Sequence, residues 1–226
     1  MAKISKTFWF FFYLTILVLL AVLLVNSLTN LLAPKTIAEL LAENKYLKQS
    51  ITNLTQEDQI GYAKVVATEN KDGRLFTTLK FVETARDDKT KIILEKNYTI
   101  EGNIIFFDAL IIKFTDKMVL DGKEKAIYLW RRVYGEKMAP ENGFAIEEPN
   151  DEPSRYTGMF KKLRVKDKTL FWSNIWDLAN DPQKLKEYGI TAIYGHAIYQ
   201  QLREGFIYIF KISPTGLVYP ETVPQL

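Results

Sequence analysis

The sequence predicts an α+β protein in three parts: an N-terminal transmembrane helix, a short coiled-coil-like helix, and a sheet-dominated, mostly antiparallel domain with one or two packed helices. An uncharged apolar run opens the 226-residue chain, a heptad pattern follows it, and from residue 60 apolar residues alternate as in β-strands. The predicted parts are a cytoplasmic N-terminus (1–7), an anchor (8–33), a helical stalk (34–59), a globular domain (60–213) and a proline-containing tail (214–226).

The anchor is predicted from residues 8–25, which read FWFFFYLTILVLLAVLLV and carry no charge. A helix of this length spans roughly 27 Å, close to the hydrocarbon thickness of a bilayer. Lys3 and Lys6 precede the run, whereas Lys35 after it is soon offset by acidic residues. The positive-inside rule therefore predicts a single-pass protein of the cell membrane, with a cytoplasmic N-terminus and a periplasmic or extracellular domain. A cleaved signal peptide is the alternative, but the run is long for one and lacks a typical cleavage site.

The predicted stalk has residues spaced alternately three and four apart, as in the seam of a two-stranded coiled coil. The seam positions are Ile37, Leu40, Asn44, Leu47, Ile51 and Leu54. This pattern favours a parallel dimer, and the polar seam residue Asn44 would fix its register at a cost in stability. We therefore expect self-association through residues 37–54. The alternative is a lone amphipathic helix packed on its own domain, because fewer than three full heptads are marginal as a free coiled coil.

The globular domain is predicted from alternating apolar runs separated by turn residues such as Asp-Gly. The predicted strands are 62–68, 75–84, 91–100, 104–114, 126–134, 190–199 and 206–212. The strand 104–114 is apolar on both faces, which is typical of a central, covered strand. Residues 135–156 are expected to be irregular, and helices are expected near residues 172–179 and 182–188.

Composition excludes several classes of function. The chain has 30 Lys and Arg against 27 Asp and Glu, and two of the excess positive charges are Lys3 and Lys6 before the anchor. The remaining balance is nearly neutral, so we expect no nucleic-acid partner. The absence of cysteine rules out disulfides, thiolate metal sites and cysteine nucleophiles. His196 is the single histidine, and no nucleotide or hydrolase motif is present, so we expect no metal, no cofactor and no catalytic residue that can be assigned.

Asp108 is the candidate for an active-site or ligand-binding acid. Strand alternation places it among the apolar residues of 104–114. A carboxylate there must be paired or have a raised pKa. Arg131 in the next predicted strand can form a buried ion pair with it, and we favour that structural interpretation. A local bulge that turns Asp108 to water is the other alternative.

A basic run is the candidate ligand-binding segment. Its residues are Lys161, Lys162, Arg164, Lys166 and Lys168. They could bind phospholipid headgroups, an anionic polymer or an acidic protein face. The alternative is an ordinary solvated segment, partly neutralised by the acidic residues that precede it.

Two resemblances to known families accompany these patterns. The stretches FFDALIIKF, LWRRVYGEKMAPENGF, WDLANDP and GITAIYGHAIYQQL resemble an uncharacterised family of bacterial single-pass membrane-anchored proteins, over most of residues 60–210. That resemblance implies no activity and no site residues. The first 70 residues, with LLAENKYLKQ and AKVVAT after the anchor, are similar to bacterial cell-shape scaffold proteins of the MreC type. The later segment does not resemble the paired barrels of that family, so its function is not carried over.

Three hypotheses about function follow from the sequence. The first is an extracytoplasmic assembly or scaffold protein of the cell envelope, dimeric through its stalk, with the lipid bilayer and an envelope protein as partners. The second is a tethered binding module that recognises an anionic or carbohydrate ligand through residues 135–170. The third is an enzyme that uses Asp108.

Overall fold

The computed structural model describes residues 6–148, 153–156, 171–172, 175–178 and 181–225. Within these ranges the chain forms nine β-strands and four α-helices with described bounds, and Phe171 and Trp172 are also helical. The helices are α1 (Lys6–Thr55), α2 (Asp116–Leu120), α3 (Ile175–Leu178) and α4 (Pro182–Glu187). The strands are β1 (Asp58–Lys71), β2 (Arg74–Thr84), β3 (Ile92–Glu101), β4 (Ile104–Phe114), β5 (Ile127–Gly135), β6 (Phe144–Ala145), β7 (Ile190–Gln201), β8 (Phe206–Ile212) and β9 (Val218–Pro224). The chain divides into two compact units, Met1–Gln49 and Ser50–Leu226.

A single helix, α1, covers the predicted anchor and most of the predicted stalk. Its segment Phe8–Leu28 is long and apolar enough to cross a membrane, and none of it is buried. It is the one such helix in the described part of the chain. Its length and composition are those of a membrane-spanning helix or of a signal sequence.

The last turns of α1 belong to the second unit. The side chain of Ser50 is buried, and the amide of Asn53 donates a 2.9 Å hydrogen bond to the carbonyl of Leu120. Leu54, the last position of the predicted seam, packs against apolar side chains of the domain. The helix ends at Thr55 rather than at residue 59, because the chain already enters β1 at Asp58.

The domain contains two antiparallel sheets. The five-stranded sheet has the order β3-β2-β1-β8-β9, and the four-stranded sheet has the order β6-β5-β4-β7. Every neighbouring pair of strands is antiparallel. The prediction of an α+β chain with an N-terminal apolar helix and a mostly antiparallel domain is therefore confirmed.

The strand β4 separates two hydrophobic cores. The inner core takes buried side chains from both sheets, among them Phe81, Phe107 and Phe210. The outer core lies on the opposite face of the four-stranded sheet, where Leu110 of β4 packs with side chains of α2, α3 and α4, including Ile175. Alternate residues of β4 thus enter different cores, which explains why its sequence is apolar on both faces.

The C-terminal residues differ from the predicted tail. Val218–Pro224 forms β9 and pairs with the whole of β8. A turn closes this hairpin, with Gly216 at a φ of 92° and its N–H bonded to the carbonyl of Ser213 at 3.0 Å. The prolines that suggested a tail are tolerated because β9 is an edge strand, where a missing N–H interrupts no ladder with a further strand.

Candidate functional site

A cavity of about 580 Å³ lies beside β3 and β5, where one edge of each sheet approaches the other. Its volume is in the range typical of small-ligand pockets. Most of its wall is apolar, and the larger apolar side chains are Ile93, Leu94, Leu110, Leu129, Trp130, Ile146, Trp172 and Ile175. The ammonium group of Lys96 in β3 donates a 2.8 Å hydrogen bond to the carbonyl of Ile146, which joins the two sides of the cavity.

Glu83 brings a carboxylate into the wall of this cavity. It continues the inward-facing series of Leu79 and Phe81 in β2 and is fully buried. Its Oε1 accepts a 2.9 Å hydrogen bond from the hydroxyl of Tyr128 and lies 3.2 Å from Nη1 of Arg155. Its Oε2 has no hydrogen-bond partner among the described residues. Burial raises the pKa of Glu83 to about 7, although the positive charge of Arg155 opposes the shift.

Arg155 holds the centre of the cluster around Glu83. Its guanidinium lies over the rings of Tyr128 and Tyr156, with its carbon 4.6 and 4.8 Å from their centres. Its Nη2 donates 3.0 Å hydrogen bonds to the carbonyl of Tyr128 and to Oε2 of Glu147. An ion pair between Nη1 and Oε1 of Glu147 completes a two-point contact. The buried guanidinium group of Arg155 therefore pairs with the carboxylates of both Glu83 and Glu147.

The same cluster covers the outer edge of β5. The short strand β6 pairs only with Arg132 and Val133. Beyond that pair, the N–H of Trp130 donates to Oε2 of Glu147 at 2.9 Å. The hydroxyl of Tyr156 accepts from the N–H of Tyr128 at 3.1 Å and donates to the carbonyl of the same residue at 3.0 Å. Side chains thus satisfy backbone groups that a further strand would otherwise bind.

Asp108 forms ion pairs with Arg131 and Arg132, two arginines that line the cavity. Its Oδ2 is 3.2 Å from Nη1 of Arg131 and 3.2 Å from Nε of Arg132. The pairing of β4 with β5 shifts at this point, since Asp108 faces Arg132 and the next residue faces Trp130. Arg131 is the extra residue of a β-bulge, so two consecutive arginines reach one carboxylate. The bulge lies in β5 and leaves Asp108 buried rather than turned to water.

The other sequence-predicted residues lie outside this site. Asn44 is exposed on α1, in the first compact unit. His196 faces the inner core, with Nε2 3.1 Å from the carbonyl of Val218 in β9. The basic run lies outside the described residues; its members are Lys161, Lys162, Arg164, Lys166 and Lys168. Within the described residues, no group of three His, Cys, Asp or Glu side chains could hold a metal ion.

Sequence reasoning missed the residues at the centre of the cavity wall. Glu83 has a detectable signal, because it is the next inward position after Leu79 and Phe81 in a run whose alternation is plain. Glu147 and Arg155 have none, because they lie in an irregular segment where no periodicity assigns a side chain to a face. The predicted binding region 135–170 does include both of them.

Comparison with protein-family models, with curated proteins and with solved structures finds no match. The two resemblances given by the sequence stay predictions.

Chemically, the site combines apolar walls, a carboxyl group that exchanges a proton near neutral pH, and several fixed charges. Asp108 forms ion pairs with two guanidinium groups. Glu83 is the carboxyl with the perturbed pKa, and it is inaccessible to solvent behind Tyr128 and Arg155.

Proposed function

We propose that this chain is a membrane-tethered binding protein whose β domain holds a ligand in the cavity beside β5. The observation that carries the proposal is the cavity itself, about 580 Å³ in volume and walled mainly by aliphatic and aromatic side chains. A pocket of this size with a few fixed polar groups is the usual form of a ligand site. The segment Phe8–Leu28 would keep the domain at a membrane surface, on the non-cytoplasmic side by the positive-inside rule.

The lining indicates the general chemistry of the ligand. Apolar groups of the ligand would be buried against Leu94, Leu129 and Trp172, at about 25 cal/mol for each Å² removed from water. Polar groups of the ligand would meet the charged side chains of Arg131 and Arg132. We therefore expect a ligand with an apolar body and hydrogen-bonding groups, rather than a purely ionic one.

Two measurements test this function: ligand binding by the wild-type chain, and loss of that binding when a larger side chain fills the cavity. The full chain in lipid nanodiscs would be screened by calorimetry against peptides, oligosaccharides and soluble amphiphiles, and a ligand at 100 times its Kd should stabilise the domain by about 2.7 kcal/mol. Leu129→Trp should abolish that stabilisation because the indole would occupy the cavity. Leu217→Trp is the matched control, since Leu217 is exposed and does not line the cavity. Failure of every class to stabilise the wild-type chain in a Leu129-dependent way would refute the proposal.

A scaffold function is the second candidate, and one observation favours it. The seam residues Ile37, Leu40, Leu47 and Ile51 of α1 are each more than half exposed, so their apolar side chains are available to a second copy. Because Leu54 packs on the domain, the dimer seam would run from Ile37 to Ile51. Two copies anchored in one bilayer would have a raised effective concentration.

Cysteine cross-linking tests the dimer, because the natural chain has no cysteine. Leu47→Cys at a seam position should form a disulfide-linked dimer in native membranes. Lys45→Cys, on the opposite side of the heptad, should not. Equal cross-linking at both positions would show random collision, and no cross-linking at Leu47 would refute the dimer.

A further inference from the structure

The outer edge of β5 is paired with β6 over only part of its length. Ala145 and Phe144 pair with β5, and the N–H of Ile146 still bonds to the carbonyl of Arg131 at 2.9 Å. After Ile146 the contact changes from backbone to side chain, and Glu147 reaches Trp130 through its carboxylate. Among the described residues, the strand-pairing groups of β5 from Tyr128 to Trp130 are therefore bonded by side chains.

The cavity lies along this same edge. Leu129 and Trp130 are consecutive residues of β5, their side chains point to opposite faces of the strand, and both line the cavity. Alternate side chains of an added strand would meet these two faces in turn. That is the arrangement by which sheet edges recognise extended peptides, with backbone bonds for affinity and side pockets for specificity.

The charges around the cavity are evenly matched. The lining carries four basic side chains and three acidic ones, namely Lys96, Arg131, Arg132 and Arg155, and Glu83, Glu147 and Glu148. Asp108 pairs with two of the arginines, so four basic side chains face four carboxyl groups. A ligand segment therefore needs no charge of its own to balance the site.

We propose that the cavity is a strand-accepting site, in which an extended segment of a partner protein, with alternating apolar residues, pairs with β5 from Tyr128 to Trp130. This inference rests on the proposed binding function and names its ligand class. The segment displaces the carboxylate of Glu147, the hydroxyl of Tyr156 and Nη2 of Arg155 from the β5 backbone. Arg155 keeps its contact with Glu83 when Glu147 leaves.

The cluster that surrounds the displaced side chains contains buried polar atoms without hydrogen-bond partners in the described part of the chain. Oε2 of Glu83 and Nε of Arg155 are buried without a hydrogen-bond partner among the described residues, and so is the indole nitrogen of Trp130. Buried polar groups in folded proteins are normally paired. A peptide backbone next to these atoms could supply partners that the free protein lacks.

The test uses the full chain in nanodiscs and two versions of a short synthetic peptide pool. In both versions Val, Ile and Leu alternate with Ser and Thr. In the second version the backbone nitrogens that would face β5 are methylated, which removes their hydrogen-bond donors and leaves the side chains unchanged. Binding is measured by calorimetry, and the amide signals of Tyr128 and Trp130 are followed by NMR.

We expect the unmethylated pool to bind and to shift both amide signals, and methylation to abolish binding. Tyr156→Phe should tighten binding roughly threefold to tenfold, because it removes the hydroxyl whose two hydrogen bonds to Tyr128 the peptide must displace. Tyr194→Phe is the matched control, since its hydroxyl bonds to the carbonyl of Gly216 away from the cavity and its loss should leave peptide affinity unchanged.

The outcomes separate this inference from the proposed function. Equal binding of both peptide versions would overturn strand pairing while supporting a ligand cavity. Failure of the peptides, together with Leu129-dependent stabilisation by an oligosaccharide or an amphiphile, would overturn the ligand class and leave the binding function in place. Failure of every ligand would overturn both.

Discussion

Substitution of Glu83 by Gln should remove a pH dependence of stability that the buried carboxyl creates. Burial raises the pKa of Glu83 from 4.5 to about 7 in the folded chain. The folded state therefore binds a proton more tightly than the unfolded state does. Because the folded pKa is raised, the stabilisation from proton uptake is fully present below pH 4.5 and is lost as the pH rises through 7.

The shift of pKa sets the size of the effect. At about 1.4 kcal/mol for each pKa unit, the full stabilisation is on the order of 3 kcal/mol. Between pH 5.5 and pH 8.5 the linkage relation gives a loss of about 2 kcal/mol from this one group. Gln keeps an oxygen that can accept from Tyr128 and Arg155 but does not titrate.

Urea unfolding of the full chain in nanodiscs, followed by tryptophan fluorescence at the two pH values, measures the effect. The wild-type chain should lose about 2 kcal/mol more than the Glu83→Gln variant does on going from pH 5.5 to 8.5. Glu69→Gln is the control, because Glu69 is exposed at the end of β1 and should leave the wild-type pH dependence intact. An unchanged pH dependence in Glu83→Gln would refute the argument that burial dominates the titration of this carboxyl.

Three further substitutions probe the packing around the site, each measured by urea unfolding at pH 7. Tyr156→Phe removes the hydroxyl that forms hydrogen bonds with the N–H and the carbonyl of Tyr128. It should lower the free energy of unfolding by about 1–3 kcal/mol, and an unchanged free energy would show that water replaces the hydroxyl. Gly61→Ala should lower the free energy of unfolding by about 1–3 kcal/mol, because the added Cβ would lie 2.4 Å from the carbonyl oxygen of Val82. Wild-type stability in this variant would show that β1 and β2 can move apart locally. Asp108→Ala should lower the free energy of unfolding by about 1–2 kcal/mol. The loss is smaller than for a fully buried ion pair, because the guanidinium groups of Arg131 and Arg132 are partly exposed. An increase in the free energy of unfolding would show that the ion pairs are net unfavourable.

The sequence predicts this fold well where periodicity is regular. The strands β2, β4 and β8 alternate or run apolar over most of their length, so their positions follow from pattern alone. The strand β9 was missed because Pro220 and Pro224 mark a chain end in sequence but only an edge position in the sheet. Proline has no backbone N–H to donate. This disrupts a strand only where a second neighbouring strand would accept that hydrogen bond, and the local sequence does not show whether such a strand is present.

The candidate site is less predictable for a different reason. The pairing of Asp108 with Arg131 follows from the alternation of two adjacent strands, but Arg132 joins it only because a bulge breaks that alternation. The position of Arg155 depends on a segment with no regular element, which is placed by contacts with side chains distant in sequence. Such contacts are set by the folded domain as a whole.

The division of β4 between two cores has a consequence for how the domain comes apart. Ile111 is fully buried in the inner core, and its neighbours Leu110 and Ile112 are buried in the outer one. Neither core can open without exposing one side of this strand and loosening the other. The two halves should therefore melt together as one cooperative unit, and the amides of β4 should be the last in the domain to exchange with solvent.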